Sequence, residues 1–227
     1  MTGDVIRTRS RQARTRRGAA TGLLLTAGMV LLLSGCTAAA DAPGSRGSAG
    51  TMSYRRAIVP PVPFSVPSVV LTDTSGRHYD PTTSPTHPVT LLFFGYTSCD
   101  DVCPAVLADL ALALRRLPPA DRDRITTVFV TTDPARDDPA RIRAYLDRFD
   151  PTFVGLTGDP AAIGTLARAV GVQIAGREER GPGDYVLGHS AQVIGLDRTR
   201  HGVAVWQPDV AVDDLGHDLA LLVARAA

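Results

Sequence analysis

Lysine is absent: all 24 basic residues of the 227-residue chain are arginine. No single site can require that, so it reads as a compositional bias of the source. Cysteine is scarce, at three residues, which excludes a small scaffold stapled by disulfides. The three methionines, Met1, Met29 and Met52, all precede the expected fold, so the folded part has no thioether ligand to offer. The apolar stretch Gly18 to Leu33 holds 16 residues, short of the roughly 20 that a membrane-spanning helix needs. No Ser-His-Asp order, phosphate-binding glycine loop or paired-carboxylate signature is present. The net charge is only +1, and the first 35 residues place six arginines against Asp4, leaving the remainder mildly acidic. A body of that charge argues against nucleic acid as the main partner. What is there, 44% hydrophobic and 21% charged residues, suits one globular domain with a full core and excludes disorder, collagen and coiled coil.

The basic run Arg7 to Arg17 followed by the apolar stretch has the layout of a signal peptide. It ends in Leu33-Ser34-Gly35-Cys36, which resembles the lipobox of bacterial lipoproteins, where the cysteine sulfur receives the lipid. Arg16-Arg17 leaves twin-arginine export open beside the general route. Residues 1–35 are therefore expected to be a signal peptide, and Cys36 the lipidation site. Residues 36–57, rich in Ala, Gly, Ser and Asp, are expected to form a flexible tether. The folded domain, residues 58–227, would then sit on the extracytoplasmic face of the cell membrane, where thiols tend to be oxidised. With Cys36 lipidated, Cys99 and Cys103 remain as a pair.

Within the domain, strands alternate with helices. Val66 to Leu71 is strand-like, and Asp73-Thr74-Ser75-Gly76 predicts a turn returning through His78 and Tyr79. The continuous apolar runs Val89 to Phe94 and Ile125 to Thr132 predict strands covered on both faces. Leu107, Leu110, Leu114 and Leu117 recur at helical spacing after Pro104. Asp138-Pro139 and Asp159-Pro160 each pair an N-cap with a proline in the first turn, predicting helices to about Phe149 and to the closing Gly171. Phe153 to Leu156 is a short strand. Ala191 to Leu196 and Val203 to Trp206 predict a β-hairpin, and Val212 to Ala226 a last amphipathic helix. The pattern predicts one α/β domain, a central mixed sheet flanked by helices with an added hairpin.

Phe93-Phe94-Gly95-Tyr96-Thr97-Ser98-Cys99-Asp100-Asp101-Val102-Cys103-Pro104 puts two thiols past a buried strand and at a helix start. Ligands bind outside the carboxyl ends of strands in open α/β sheets, and helix N-termini stabilise thiolates. Two helical cysteines four apart share a face, whereas Pro104 disfavours helical geometry at Cys103 and allows an irregular turn instead. Either geometry lets both sulfurs meet one ion or each other. A structural disulfide, a redox pair and a soft-metal site all remain open on spacing, although a disulfide here closes too small a loop to stabilise much.

The cysteine segment resembles the Sco/SenC family, thioredoxin-fold copper proteins of cytochrome c oxidase assembly, which carry C-x-x-x-C-P after an aromatic-rich strand. Thr132-Asp133-Pro134-Ala135-Arg136-Asp137 is similar to that family's D-P-x-R-D segment, with Tyr145, Phe149 and Leu156-Thr157-Gly158 continuing the likeness. His189-Ser190-Ala191 is similar to its distal histidine segment. The resemblance spans about Pro63 to the C-terminus and implies a thioredoxin-like fold. It also implies copper, Cu(I) or Cu(II), held by Cys99, Cys103 and His189 and passed on to the copper-bearing oxidase subunit. Further implied partners are other copper carriers and thiol reductases. Gly188 stands where the family commonly has aspartate.

Donor chemistry agrees, since thiolates suit Cu(I) and imidazole suits both oxidation states. Zinc would need a fourth ligand, from Asp133 or water, and blue copper would want one cysteine with two histidines. Asp133, Asp100 and Tyr96 are the expected supporting residues: Asp133 ends a buried strand, Asp100 lies beside Cys99, and Tyr96 is near enough to shield the site. His78, His87, His201 and His217 read as ordinary solvated or packed residues. Two other functions remain in view. One is a thiol–disulfide oxidoreductase that reduces the oxidase's copper-site cysteines, using Cys99 and Cys103 but not His189. The other is a peroxide-reducing enzyme, which the cysteine motif does not favour.

Overall fold

A computed structural model describes residues 53–182 and 184–226; the signal segment, Cys36 and most of the tether lie outside these. The elements are β1 (Phe64–Ser65), β2 (Leu71–Asp73), β3 (His78–Tyr79), β4 (Val89–Gly95), α1 (Val102–Arg116), α2 (Pro119–Arg122), β5 (Ile125–Thr131), α3 (Pro139–Leu146), β6 (Val154–Thr157), α4 (Pro160–Ala169), β7 (Ile174–Gly181), β8 (Asp184–His189), β9 (Val193–Leu196), β10 (His201–Trp206) and α5 (Val212–Arg225). Eight strands form one mixed sheet in the order β1-β10-β9-β4-β5-β6-β2-β3, and β7 with β8 forms a separate ribbon.

The seven residues of β4 are all buried, because β5 flanks it in parallel and β9 antiparallel and helices cover both faces. Its side chains alternate between two cores. Leu91 and Phe93 join residues of α1, α3 and α5, while Leu92 and Phe94 join Ile163 and Leu166 of α4. The proline-capped helices start where expected. The Asp138 side chain accepts from Arg141 N–H, and that of Asp159 from Ala161 and Ala162 N–H. Gly171 closes α4 at φ +72°.

Four sequence expectations shift. The strand read over Val66 to Leu71 is instead β1 and β2, split by an irregular, proline-containing crossing, since proline cannot donate to a ladder. Helix α1 begins two residues before Pro104. The proline occupies the first turn, where its missing N–H costs no bond, so Cys103 is helical. The hairpin of β9 and β10 forms but belongs to the main sheet, and the added hairpin is β7–β8. Lastly, the segment expected to end a loose tether is held on the domain. The N–H groups of Arg55, Arg56 and Ala57 donate to the buried Asp218 carboxylate at 2.6–2.9 Å, the Tyr54 ring meets Trp206 edge-on, and Ile58 bridges Val205.

Candidate metal centre

The cysteine loop leaves the end of β4 and is fixed by its neighbours. Thr97 N–H donates to Asp137 Oδ2 at 2.9 Å, and Arg141 reaches Thr97 Oγ1 and Ser98 Oγ at 2.7 and 2.8 Å. Asp137 is wholly buried and also accepts from Thr131 Oγ1 at 2.6 Å. Arg136 pairs with Asp133.

Asp101, the N-cap of α1, makes no side-chain capping bond. The Cys99 sulfur takes that place, accepting from Cys103 N–H at 3.4 Å. A thiolate there faces the positive end of the helix. The S–H of Cys103 stabilises it most; burial opposes ionisation, and His189 and the N–H groups of Cys103 and Asp101 add further support, so that the Cys99 thiol is lowered to about 3. Cys103 shifts the opposite way, raised by donating its S–H to the Cys99 sulfur and by burial. The pair therefore rests as one thiolate and one thiol. Gly95 makes room for it, because a Cβ there would lie 2.9 Å from Cys103 Sγ.

His189 arrives at the end of β8, 86 residues from Cys103, with Nε2 3.3 Å from Cys103 Sγ. Its Nδ1 lies 3.1 Å from the Ser190 carbonyl. A carbonyl only accepts, so Nδ1 donates to it, and Nε2 is the ring nitrogen turned toward the sulfurs. Neither Cys99 nor Cys103 is in a disulfide. The two sulfurs and one imidazole nitrogen lie within 4.8 Å of one another; Cys99 and His189 line a groove of about 460 Å³ with Asp100, Asp101, Glu178 and Arg180, while Cys103 is wholly buried. A hollow of about 470 Å³ elsewhere, lined by His87, Arg122 and Asp150, includes neither cysteine.

The supporting residues divide. Tyr96 is buried, and its ring meets the His189 ring edge-on at 5.7 Å. Asp100 is exposed on the groove rim. Asp133 is buried but fully engaged, with one oxygen accepting from Tyr185 Oη at 2.8 Å and the other from Arg136, so it is not poised as a fourth ligand for zinc. His87 and His201 hydrogen-bond Thr126 and Thr199, and His217 sits beside Asp218. None of these joins the cluster. Tyr185 and Arg141 carry no signal of their own in the sequence, and Asp137 shows there only as the last residue of the D-P-x-R-D segment.

The sequence matches the SCO1/SenC family over residues 65–224. The chain belongs to that family. Among solved Sco structures, ScoI of Bradyrhizobium japonicum with copper bound is 32% identical at a TM-score of 0.62, covering 69% of this chain and 98% of that one. Apo Sco1 of Thermus thermophilus is 34% identical at 0.65, covering 73% and 95%. The mitochondrial SCO1 homolog 1 of Arabidopsis thaliana is 37% identical over 126 residues, which are 56% of this chain and 37% of that protein. The matches span about half or less of the curated relatives' length. The fold is thioredoxin-like, as in these Sco proteins. At the position where the sequence departs from the usual Sco pattern, Gly188 packs so tightly that a Cβ would lie 2.9 Å from Ala175 Cβ. A side chain there would have to push the two ribbon strands apart.

Proposed function

We propose that this protein is a copper carrier. It binds one copper ion between Cys99 Sγ, Cys103 Sγ and His189 Nε2 and passes it to the copper-bearing subunit of a respiratory cytochrome c oxidase. The observation that carries this reading is the convergence of two free cysteines and one correctly oriented imidazole within 4.8 Å. Two soft sulfurs suit Cu(I), and the nitrogen suits both oxidation states. Cys99 is ready as a thiolate, and Cys103 gives up its proton as the metal enters, so loading releases a proton. Delivery is ligand exchange: each Cu–S or Cu–N bond breaks as a donor of the receiver forms its own, with no change of oxidation state. The groove gives the receiver's donors access to the cluster. Copper-bound ScoI supports the metal. BsSco, a member of the Sco family of cytochrome c oxidase assembly proteins, supports the receiver through shared family membership. The signal, the lipobox at Cys36 and the tether support a lipid-anchored domain, residues 58–227 with the 54–57 strap, outside the cytoplasmic membrane.

Copper titration of the full chain, with metal analysis and absorption spectra, tests the reading. Cys99→Ser and Cys103→Ser each lose stoichiometric copper, and His189→Ala weakens Cu(II) most. Full occupancy in a Cys99→Ser/Cys103→Ser variant rejects it.

One observation favours a second reading: a half-buried thiolate stands beside a buried thiol, as a dithiol reductase requires. Cys99 would attack a disulfide of the oxidase copper site and Cys103 would resolve the mixed disulfide, the pair supplying both electrons. That role does not use His189, so wild-type complementation of oxidase assembly by His189→Ala selects it.

A further inference from the structure

His189 is carried on a ribbon that meets the rest of the molecule through Ile174 on the core, the Leu187 backbone on Tyr96, and Tyr185. Of the residues in β7 and β8, Tyr185 alone is buried. Its ring is sandwiched between two guanidinium groups, with Arg136 Cζ 3.5 Å and Arg177 Cζ 3.7 Å from the centroid. Its hydroxyl donates to Asp133 Oδ1 at 2.8 Å, and Asp133 is itself buried and paired with Arg136. Tyr185 and His189 are four residues apart on one strand, so their side chains leave the same face. Arg136 also approaches the Tyr96 ring at 5.8 Å, and that ring touches His189. One arginine thus links the anchor of the ribbon to the ring packed against the ligand.

We propose that Tyr185 is the positioning residue of the metal site. Stacked between Arg136 and Arg177 and latched to Asp133, it sets the pose of His189. It thereby governs how well the site holds Cu(II), which needs the imidazole, relative to Cu(I), for which the two sulfurs suffice. The inference rests on the copper-carrier reading and assigns Asp133 its part: it holds the tyrosine that holds the histidine. Partners that fix a metal-binding histidine are worth about 10–100-fold in affinity.

The test uses the full chain. Cu(II) binding is followed by absorption and by nitrogen hyperfine structure in electron paramagnetic resonance, and Cu(I) binding by competition with a chromophoric chelator. Tyr185→Phe keeps the stack and loses the latch, lowering Cu(II) affinity about tenfold. Tyr185→Ala loses both and lowers it about 100-fold, with the nitrogen signal weakened. Cu(I) affinity moves by less than about threefold in either variant. Because Tyr185 acts through His189, the double variant Tyr185→Ala/His189→Ala binds Cu(II) no worse than His189→Ala. Should Tyr185→Ala not fold, Tyr185→Phe and Arg177→Ala carry the same comparison. The inference is overturned by unchanged Cu(II) affinity in these variants, by equal losses for Cu(I) and Cu(II), or by a further loss in the double variant. Absence of copper binding in the wild type overturns the carrier reading as well, which separates the two failures.

Discussion

At Cys99 the sulfur has two tasks: it caps α1 in place of the silent Asp101 side chain, and it is the ionised member of the thiol pair. Both follow from its position at the first free N–H groups of a helix. The consequence is a nucleophile that persists in acid. A free thiol near 8.5 loses about tenfold in thiolate for each pH unit below that value, whereas Cys99, lowered to about 3, stays ionised through the neutral and mildly acidic range. Iodoacetamide is expected to modify Cys99 at nearly the same rate from about pH 5 to 7, while buried Cys103 stays unmodified. Site-mapped mass spectrometry checks both. A Cys99 rate that falls in proportion to hydroxide concentration contradicts the assignment. Replacing Cys103 by Ala removes the main donor to that thiolate and moves the profile toward that of an ordinary thiol.

Elements become useful here through what pins them. The strap at residues 54–58 is pinned by Asp218, whose carboxylate collects three backbone N–H groups and, at 3.2 Å, the indole N–H of Trp206. Burial would raise this carboxyl, but the donors Arg55, Arg56, His217 and Ala57 outweigh it and hold it below its ordinary value of 3.8. A carboxyl lowered on folding stabilises the native state fully above that ordinary value and loses the contribution as pH falls through the lower folded one. Asp218→Asn, which turns a donor toward donors, is expected to cost about 3 kcal/mol near neutral pH. Its stability curve should also flatten below about pH 4 relative to wild type. Thermal unfolding across pH measures both, and cleavage near residues 53–58 in limited proteolysis reports release of the strap.

For the whole molecule, the proposed division is between a lipid that sets location and a domain that sets chemistry. Cys36→Ser is then expected to move the protein from the membrane fraction to the soluble extracytoplasmic fraction. Copper stoichiometry should be unaltered, because the cluster is formed by Cys99, Cys103 and His189. Fractionation with metal analysis reads both, and membrane retention of Cys36→Ser speaks against the lipid anchor.

The parts legible in the residues were those whose signal is local. Doubly covered strands such as β4 and β5 show as unbroken apolar runs, capped helices show as Asp-Pro, and the thiol pair shows as a spacing, since each depends on residues a few positions apart. The ribbon β7–β8 carries no such signal. Its residues 175–180 are exposed, and Tyr185 is the one buried residue of its two strands, so neither alternation nor an apolar run announces it. The four remote hydrogen bonds to Asp218 and the placing of Asp133 under Tyr185 depend on groups 12 to 163 residues apart. Chain chemistry thus settled which donors this protein owns, while packing between remote elements settled which of them meet, because a periodic pattern encodes a face to bury and not the partner that will cover it.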